Sequence, residues 1–167
     1  VGLLTPLGFA VFGGSLLLVL YIGRLVDSWL SFPLLLPGMT GNIIGGVLVA
    51  LGGIVCGVCV LYFMKAKGTP VPINPPKSLI IDGPYAWSRN PMVTGVFAGL
   101  FGVGFLLHSV GIVALTTPTY VLLHVLELKL LEEPDLQKRY GASFLEYKRQ
   151  VPMFVPRPWR HVTRNSV

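Results

Sequence analysis

Residues 3 to 23, 43 to 64 and 92 to 126 contain no Asp, Glu, Lys or Arg, and short polar, turn-rich stretches separate them. At 1.5 Å per residue, each of the first two runs is long enough to cross the ~30 Å hydrocarbon core of a bilayer. The third is too long for one ordinary crossing. His108-Ser109 with Gly111 offers a reversal, so it reads as a hairpin of two shorter helices, 92–107 and 111–131. Pro6 lies near the start of the first helix, where proline is tolerated, and Pro118 is expected to kink the fourth. Arg24 and Asp27 are expected to close helix one, with Trp29 as a headgroup-level anchor and Ser31 to Gly38 as an interfacial turn or short re-entrant piece. Gly41-x-x-x-Gly45, Gly53-x-x-x-Gly57 and Gly95-x-x-x-Gly99 have the spacing that lets membrane helices approach closely.

Composition strengthens this reading. The 167 residues are 53% hydrophobic and 12% charged, with a mean hydropathy of +0.71, whereas soluble domains carry about twice that charge fraction. The formal charge of +6 would suit nucleic acid, but its distribution argues for a membrane protein. Lys65, Lys67, Lys77 and Arg89 face only Asp82 between helices two and three, and from Glu127 onward eight basic residues stand against five acidic ones. Arg24 and Asp27 balance on the other side. The positive side is expected to be cytoplasmic, with both termini there if the chain crosses four times. The first apolar run lacks a basic segment ahead of it and reads as a retained helix, not a cleaved leader. The expectation is a single all-α integral-membrane domain over residues 1–167, multi-pass, with about four transmembrane helices. The last two would form a hairpin, and cytoplasmic amphipathic helices would follow.

Those C-terminal helices have their own signals. Pro134 suits a first helical turn, Leu136 and Tyr140 share a face, and Gly141 suits a helix end. Ser143-x-x-Glu146 reads as a capping box for a second short helix with Phe144, Tyr147 and Val151 on one face. Arg157, Trp159, Arg160 and Arg164 read as a basic, aromatic surface anchor. Cys56-x-x-Cys59 is discounted as a redox pair, because it lies mid-helix in an apolar run with no basic neighbour to lower a thiol pKa. No metal-ligand spacing, phosphate-binding glycine loop or serine triad stands out.

The polar stretches between and after the helices carry the chemistry. They are Gly68-Thr69-Pro70-x-Pro72, Gly83-x-Tyr85-x-x-x-Arg89-Asn90-Pro91, Glu132-Glu133-Pro134-x-Leu136, Tyr140-Gly141 and Tyr147-x-x-x-Val151-Pro152. In order and spacing, residues 68 to 156 resemble the integral-membrane methyltransferases of the isoprenylcysteine carboxyl methyltransferase and phospholipid N-methyltransferase superfamily. The resemblance implies S-adenosylmethionine as methyl donor, with 68–156 as the cofactor-binding region. Cofactor contacts are expected at Tyr85, Arg89, Asn90, Pro91, His124, Glu132, Glu133, Leu136 and Tyr147, and catalytic roles at Arg89 and Glu133. The family pattern is Arg-His-Pro-x-Tyr. Here Asn90 replaces the histidine and keeps hydrogen-bonding capacity, whereas Val93 replaces the tyrosine and does not; Tyr85, His124 or Tyr147 are candidates to compensate.

Side-chain chemistry is compatible with these roles. Arg89 offers a planar fork for a carboxylate, and Glu132 or Glu133 could pair with an ammonium. Tyr85, Trp87 or Tyr147 could offer an aromatic face to adenine or a sulfonium. The plainer reading of each residue stands beside these. An arginine at a helix foot is often an interfacial anchor, paired glutamates a solvated helix end, His108 a turn contact and His124 an interfacial histidine. The expected activity is methyl transfer to a lipid-like or prenylcysteine-type acceptor at the cytoplasmic face, with membrane lipids as neighbours and no nucleic-acid partner. The competing readings are a non-catalytic membrane protein that keeps the scaffold to bind a lipid or partner, and a nicotinamide-dependent reductase of related fold.

Overall fold

A computed structural model of the chain describes residues 4–66 and 79–155. The Gly68–Pro72 motif and the basic stretch from Arg157 to Arg164 lie outside the described residues. The described residues form helices α1 (Leu4–Leu30), α2 (Met39–Lys65), α3 (Pro91–Leu106), α4 (Gly111–Tyr140) and α5 (Ala142–Gln150), with a 3-10 turn at Gly83–Ala86. Helices α1, α2 and α4 are long and apolar enough to cross a membrane. The 16-residue α3 spans only ~24 Å. Of the four crossings expected, three therefore have spanning length.

Helix α1 continues to Leu30 instead of closing at Arg24 and Asp27. Both charges are satisfied sideways by the turn joining α3 to α4. Arg24 donates from Nη1 to the Leu107 carbonyl at 3.2 Å. Asp27 accepts the Gly111 N–H at 2.6 Å and the Ser109 hydroxyl, capping the N-terminus of α4 from another helix. The Ser31–Gly38 turn docks on the same place, with the Leu35 N–H donating to the His108 carbonyl at 2.9 Å. Replacing Asp27 with alanine orphans the Gly111 N–H and removes the cap, a loss of ~1–2 kcal/mol. A lowered thermal unfolding midpoint in detergent is the expected result.

Helix α2 packs along α3, and glycines set the distance. A Cβ on Gly45 would lie 2.7 Å from the Gly102 carbonyl oxygen, and one on Gly95 or Gly102 would lie 2.8 Å from the oxygen of Gly52 or Gly45. The contact pairs are thus Gly45 with Gly102 and Gly52 with Gly95. Gly41 packs against Leu36 and His108, whereas a Cβ at Gly53, Gly57 or Gly99 would meet nothing within 4 Å. The sequence spacing marked the correct helices but only some of the contact glycines.

Two π turns, Gly111–Thr116 and Leu128–Glu132, interrupt α4. The first ends two residues before Pro118, which takes an early position in the following α segment; π turns and prolines are both places where helices bend. The second precedes Glu133. Pro134, Leu136 and Tyr140 prolong α4 instead of forming a separate helix, and Gly141 ends it with φ 57°. Helix α5 starts at Ala142, so Ser143 is already inside its first turn and cannot cap it. The expected capping box is absent, and Glu146 instead accepts from Gln150 at 2.7 Å. The expected apolar face is present: Phe144, Tyr147 and Val151 are buried with Ile81, and Leu79, Leu136 and Tyr140 pack around them.

Candidate active site

The segment after α2 reaches the site through Gly83, whose φ of 61° suits glycine and whose missing side chain leaves room for the Tyr62 ring. Tyr85 is buried with its ring edge-on to Phe63 at 5.9 Å. Its carbonyl accepts the Tyr147 hydroxyl at 2.7 Å. Burial pushes the Tyr147 hydroxyl above its ordinary pKa, with Arg89 opposing, and burial does the same to Tyr85 with Cys59 adding to it. Both rings are therefore committed to the floor of the site rather than offered as open stacking faces. Tyr147→Phe leaves a buried carbonyl unpaired and is expected to cost ~1–3 kcal/mol, read as a lower unfolding midpoint. The folded hydroxyl has the higher pKa, so its stabilisation is complete below about pH 10 and declines as pH rises from there.

Ser88, Arg89 and Asn90 are zipped to the strap that follows α5. The Arg89 N–H donates to the Pro152 carbonyl at 2.9 Å and the Asn90 N–H to the Met153 carbonyl at 3.1 Å. Arg89 Nε reaches the Val151 carbonyl at 3.0 Å, and Ser88 Oγ the Met153 carbonyl at 3.0 Å. The Asn90 amide also donates to Met153 at 3.4 Å, and Pro91 starts α3 beside it. These bonds leave the guanidinium pointing at α4.

Arg89 Nη1 pairs with Glu133 Oε1, both side chains nearly buried, and Lys148 Nζ pairs with Glu133 Oε2 at 2.6 Å. The carboxylate is thus shared by two cations from two other segments. Arg89 and Lys148 also line a cavity of about 270 Å³ with Arg149, Val151, Pro152 and Met153. An anion of carboxylate size would meet positive charge and strong donors there. Leu136 packs against the buried cluster beneath α5.

Of the residues expected at the site, Tyr85, Arg89, Asn90, Pro91, Glu133, Leu136 and Tyr147 belong to this assembly. Glu132 takes no part in that ion-pair cluster: among the described residues it makes no side-chain hydrogen bond or ion pair, yet its carboxylate lies close enough to Tyr85 to push that hydroxyl further up, so the adjacent glutamates face different parts of the same region. Trp87 is exposed. His124 sits elsewhere on α4, stacked on Tyr120 at 5.7 Å, edge-on to Phe97 at 5.9 Å, with Nδ1 2.9 Å from Glu127 Oε2. Val93 and His124 line the same small void, which shares no lining residue with the Arg89 cavity. The thiols have other company: Cys56 donates to the Met92 carbonyl at 3.4 Å, and Cys59 is buried beside Tyr85. Sequence reasoning missed Lys148 and the strap carbonyls. Nothing in the pattern set Lys148 apart from Arg149, and backbone acceptors leave no residue signature.

Comparison with known proteins carries the same motifs further. Two curated relatives are metal-resistance proteins by name. The nickel-cobalt-cadmium resistance protein NccN of Alcaligenes xylosoxydans xylosoxydans is 28% identical over 131 residues, 78% of this chain and 54% of that protein. The cobalt-zinc-cadmium resistance protein CzcN of Cupriavidus metallidurans is 28% identical over 130 residues, 78% of this chain and 52% of that protein. A third, the methanethiol S-methyltransferase of Crocosphaera subtropica, is 29% identical over 96 residues, 58% of this chain and 34% of that protein. The chain spans about half the length, or less, of these relatives. No solved structure matches. The sequence pattern of the family described as Phospholipid methyltransferase covers residues 41–143, from the glycine-bearing face of α2 through Arg89 to Glu133 and the start of α5, and with that coverage the chain belongs to the phospholipid methyltransferase family.

Proposed function

We propose that the chain is a membrane methyltransferase that uses S-adenosylmethionine, with the amino-acid end of the donor held where Arg89, Glu133 and Lys148 meet. The observation that carries this reading is the Glu133 carboxylate shared between Arg89 and Lys148 beside a cation-lined cavity. The residues fit the donor's chemistry: Arg89 suits its carboxylate and Glu133 its ammonium, which would take over the place of the Lys148 ammonium. When bound, the donor supplies an electrophilic methyl group on a sulfonium. The protein's part is alignment and exclusion of water. Arg89 is oriented by Val151 and Pro152, Asn90 by Met153, and Tyr147 ties the floor together. Charge asymmetry supports a cytoplasmic location for this face, with both termini on that side.

The acceptor reading is an apolar molecule reached from the bilayer, lipid-like or prenylcysteine-type, to which the methanethiol S-methyltransferase relative adds small thiols. Val93, which lacks the hydroxyl and ring of the family tyrosine, favours the alternative of a non-catalytic scaffold. Incubating the purified chain with methyl-labelled donor and either a membrane-lipid extract or a small-thiol mixture separates the two. Label in an acceptor fraction is the expected result. Donor binding without transfer to either would favour the scaffold.

A further inference from the structure

We propose that His124, oriented by Glu127, is the proton acceptor of a second, apolar cleft that receives the S–H end of a small apolar thiol. The proposal rests on the methyltransferase reading above and names its acceptor class. His124 Nδ1 lies 2.9 Å from Glu127 Oε2, so a proton at Nδ1 is donated to the carboxylate and the neutral ring presents its lone pair at Nε2. The ring is fixed by stacking on Tyr120 and by the edge contact with Phe97. Among the described residues, Nε2 has no hydrogen-bonding partner. His124 lines a void of about 10 Å³ with Phe12, Val93, Val96, Phe97 and Tyr120, which admits one group about the size of a water molecule. A larger residue than Val93 would take up this space.

Chemistry selects the class. A carboxylate needs no base before methylation, so a base beside it would serve nothing. An amine arrives at neutral pH as an ammonium, and a charge is costly to place among Phe12, Val96 and Phe97. A thiol arrives neutral, its sulfur is favoured beside aromatic rings, and it becomes a strong nucleophile on losing its proton. In that step the S–H bond breaks, its electron pair stays on sulfur as a thiolate, and the proton bonds to His124 Nε2. Glu127 stabilises the resulting imidazolium. The strap that orients Asn90 also borders this cleft: Phe154, which follows the Met153 that holds Asn90, packs on Phe97 at 5.9 Å.

The test uses the full chain in lipid nanodiscs with ethanethiol, whose thiolate absorbs in the ultraviolet where the thiol does not, and with thiophenol, which is already largely ionised at neutral pH. Without donor, the unmutated protein should raise the thiolate band of added ethanethiol, and His124→Gln should abolish the rise. Glu127→Gln, at a half-exposed position that leaves the packing intact, should weaken it. With donor present, His124→Gln should slow methylation of a weakly acidic alkanethiol on the order of 100-fold and that of thiophenol far less, while S-adenosylhomocysteine binding is unchanged. An unaltered thiolate band, or equal losses on both thiols, overturns the inference while the methyltransferase reading stands. An unmutated protein that binds no S-adenosylhomocysteine overturns that reading and the inference with it.

Discussion

Arg89→Ala is expected to reduce affinity for S-adenosylmethionine on the order of 100-fold or more and to end methyl transfer. Each hydrogen bond to a charged group contributes ~1.5–3 kcal/mol, and the fork can offer a carboxylate two. Arg89 also holds the strap through Val151 and balances Glu133. Removing one partner of a nearly buried pair costs ~3–5 kcal/mol when the other is left uncompensated. Lys148 stays on Glu133, so the structural loss should be smaller. Arg89→Lys separates the two effects. It keeps the charge beside Glu133 but loses the planar fork, so the fold should survive while donor affinity still falls. Isothermal calorimetry for affinity and thermal unfolding for stability, run on both variants, check this.

The second large effect is expected from Gly52→Leu. A side chain there enters the carbonyl of Gly95 and crowds the backbone of Gly99, where no rotamer relieves the contact. Overpacking of this kind costs ~1–3 kcal/mol or more, and α2 must move off α3. The consequence reaches the site. Helix α2 carries Tyr62, Phe63 and Cys59 around the 83–85 turn, and α3 begins at Asn90-Pro91. Gly53→Leu, one position along, meets open space and should leave stability and donor binding unchanged. A lower unfolding midpoint for Gly52→Leu alone, measured side by side in the same detergent, is the expected result.

These two residues also show what could be read before the fold was known. Arg89 stood out because it lies in an ordered polar motif between long apolar runs, and local chemistry of that kind survives in sequence. In sequence, Glu132 or Glu133 reads only as a partner for an ammonium, not for Arg89. That Glu133 is the one that meets Arg89 follows from the π turn at Leu128–Glu132, which shifts the helical register and has no composition signal. The contact glycines were half legible. Spacing marks small residues, but Gly52 rather than Gly53 meets α3 because of how the two helices are rotated, a tertiary property. Arg24 and Asp27 read as a helix end because charges normally leave the bilayer. Here the α3–α4 turn accepts both, and long-range partners of this sort are invisible in a local window. The amphipathic face of α5 was fully legible, since Phe144, Tyr147 and Val151 follow the helical period directly.

The central claim is that Arg89 and Glu133 hold the amino-acid end of the methyl donor. Calorimetric titration of S-adenosylhomocysteine into the intact chain and into Glu133→Gln tests it most directly. Saturable binding to the intact chain, weakened at least ~10-fold in the variant, is the expected outcome. No binding to a folded intact chain, or equal affinity in a folded variant, would contradict it.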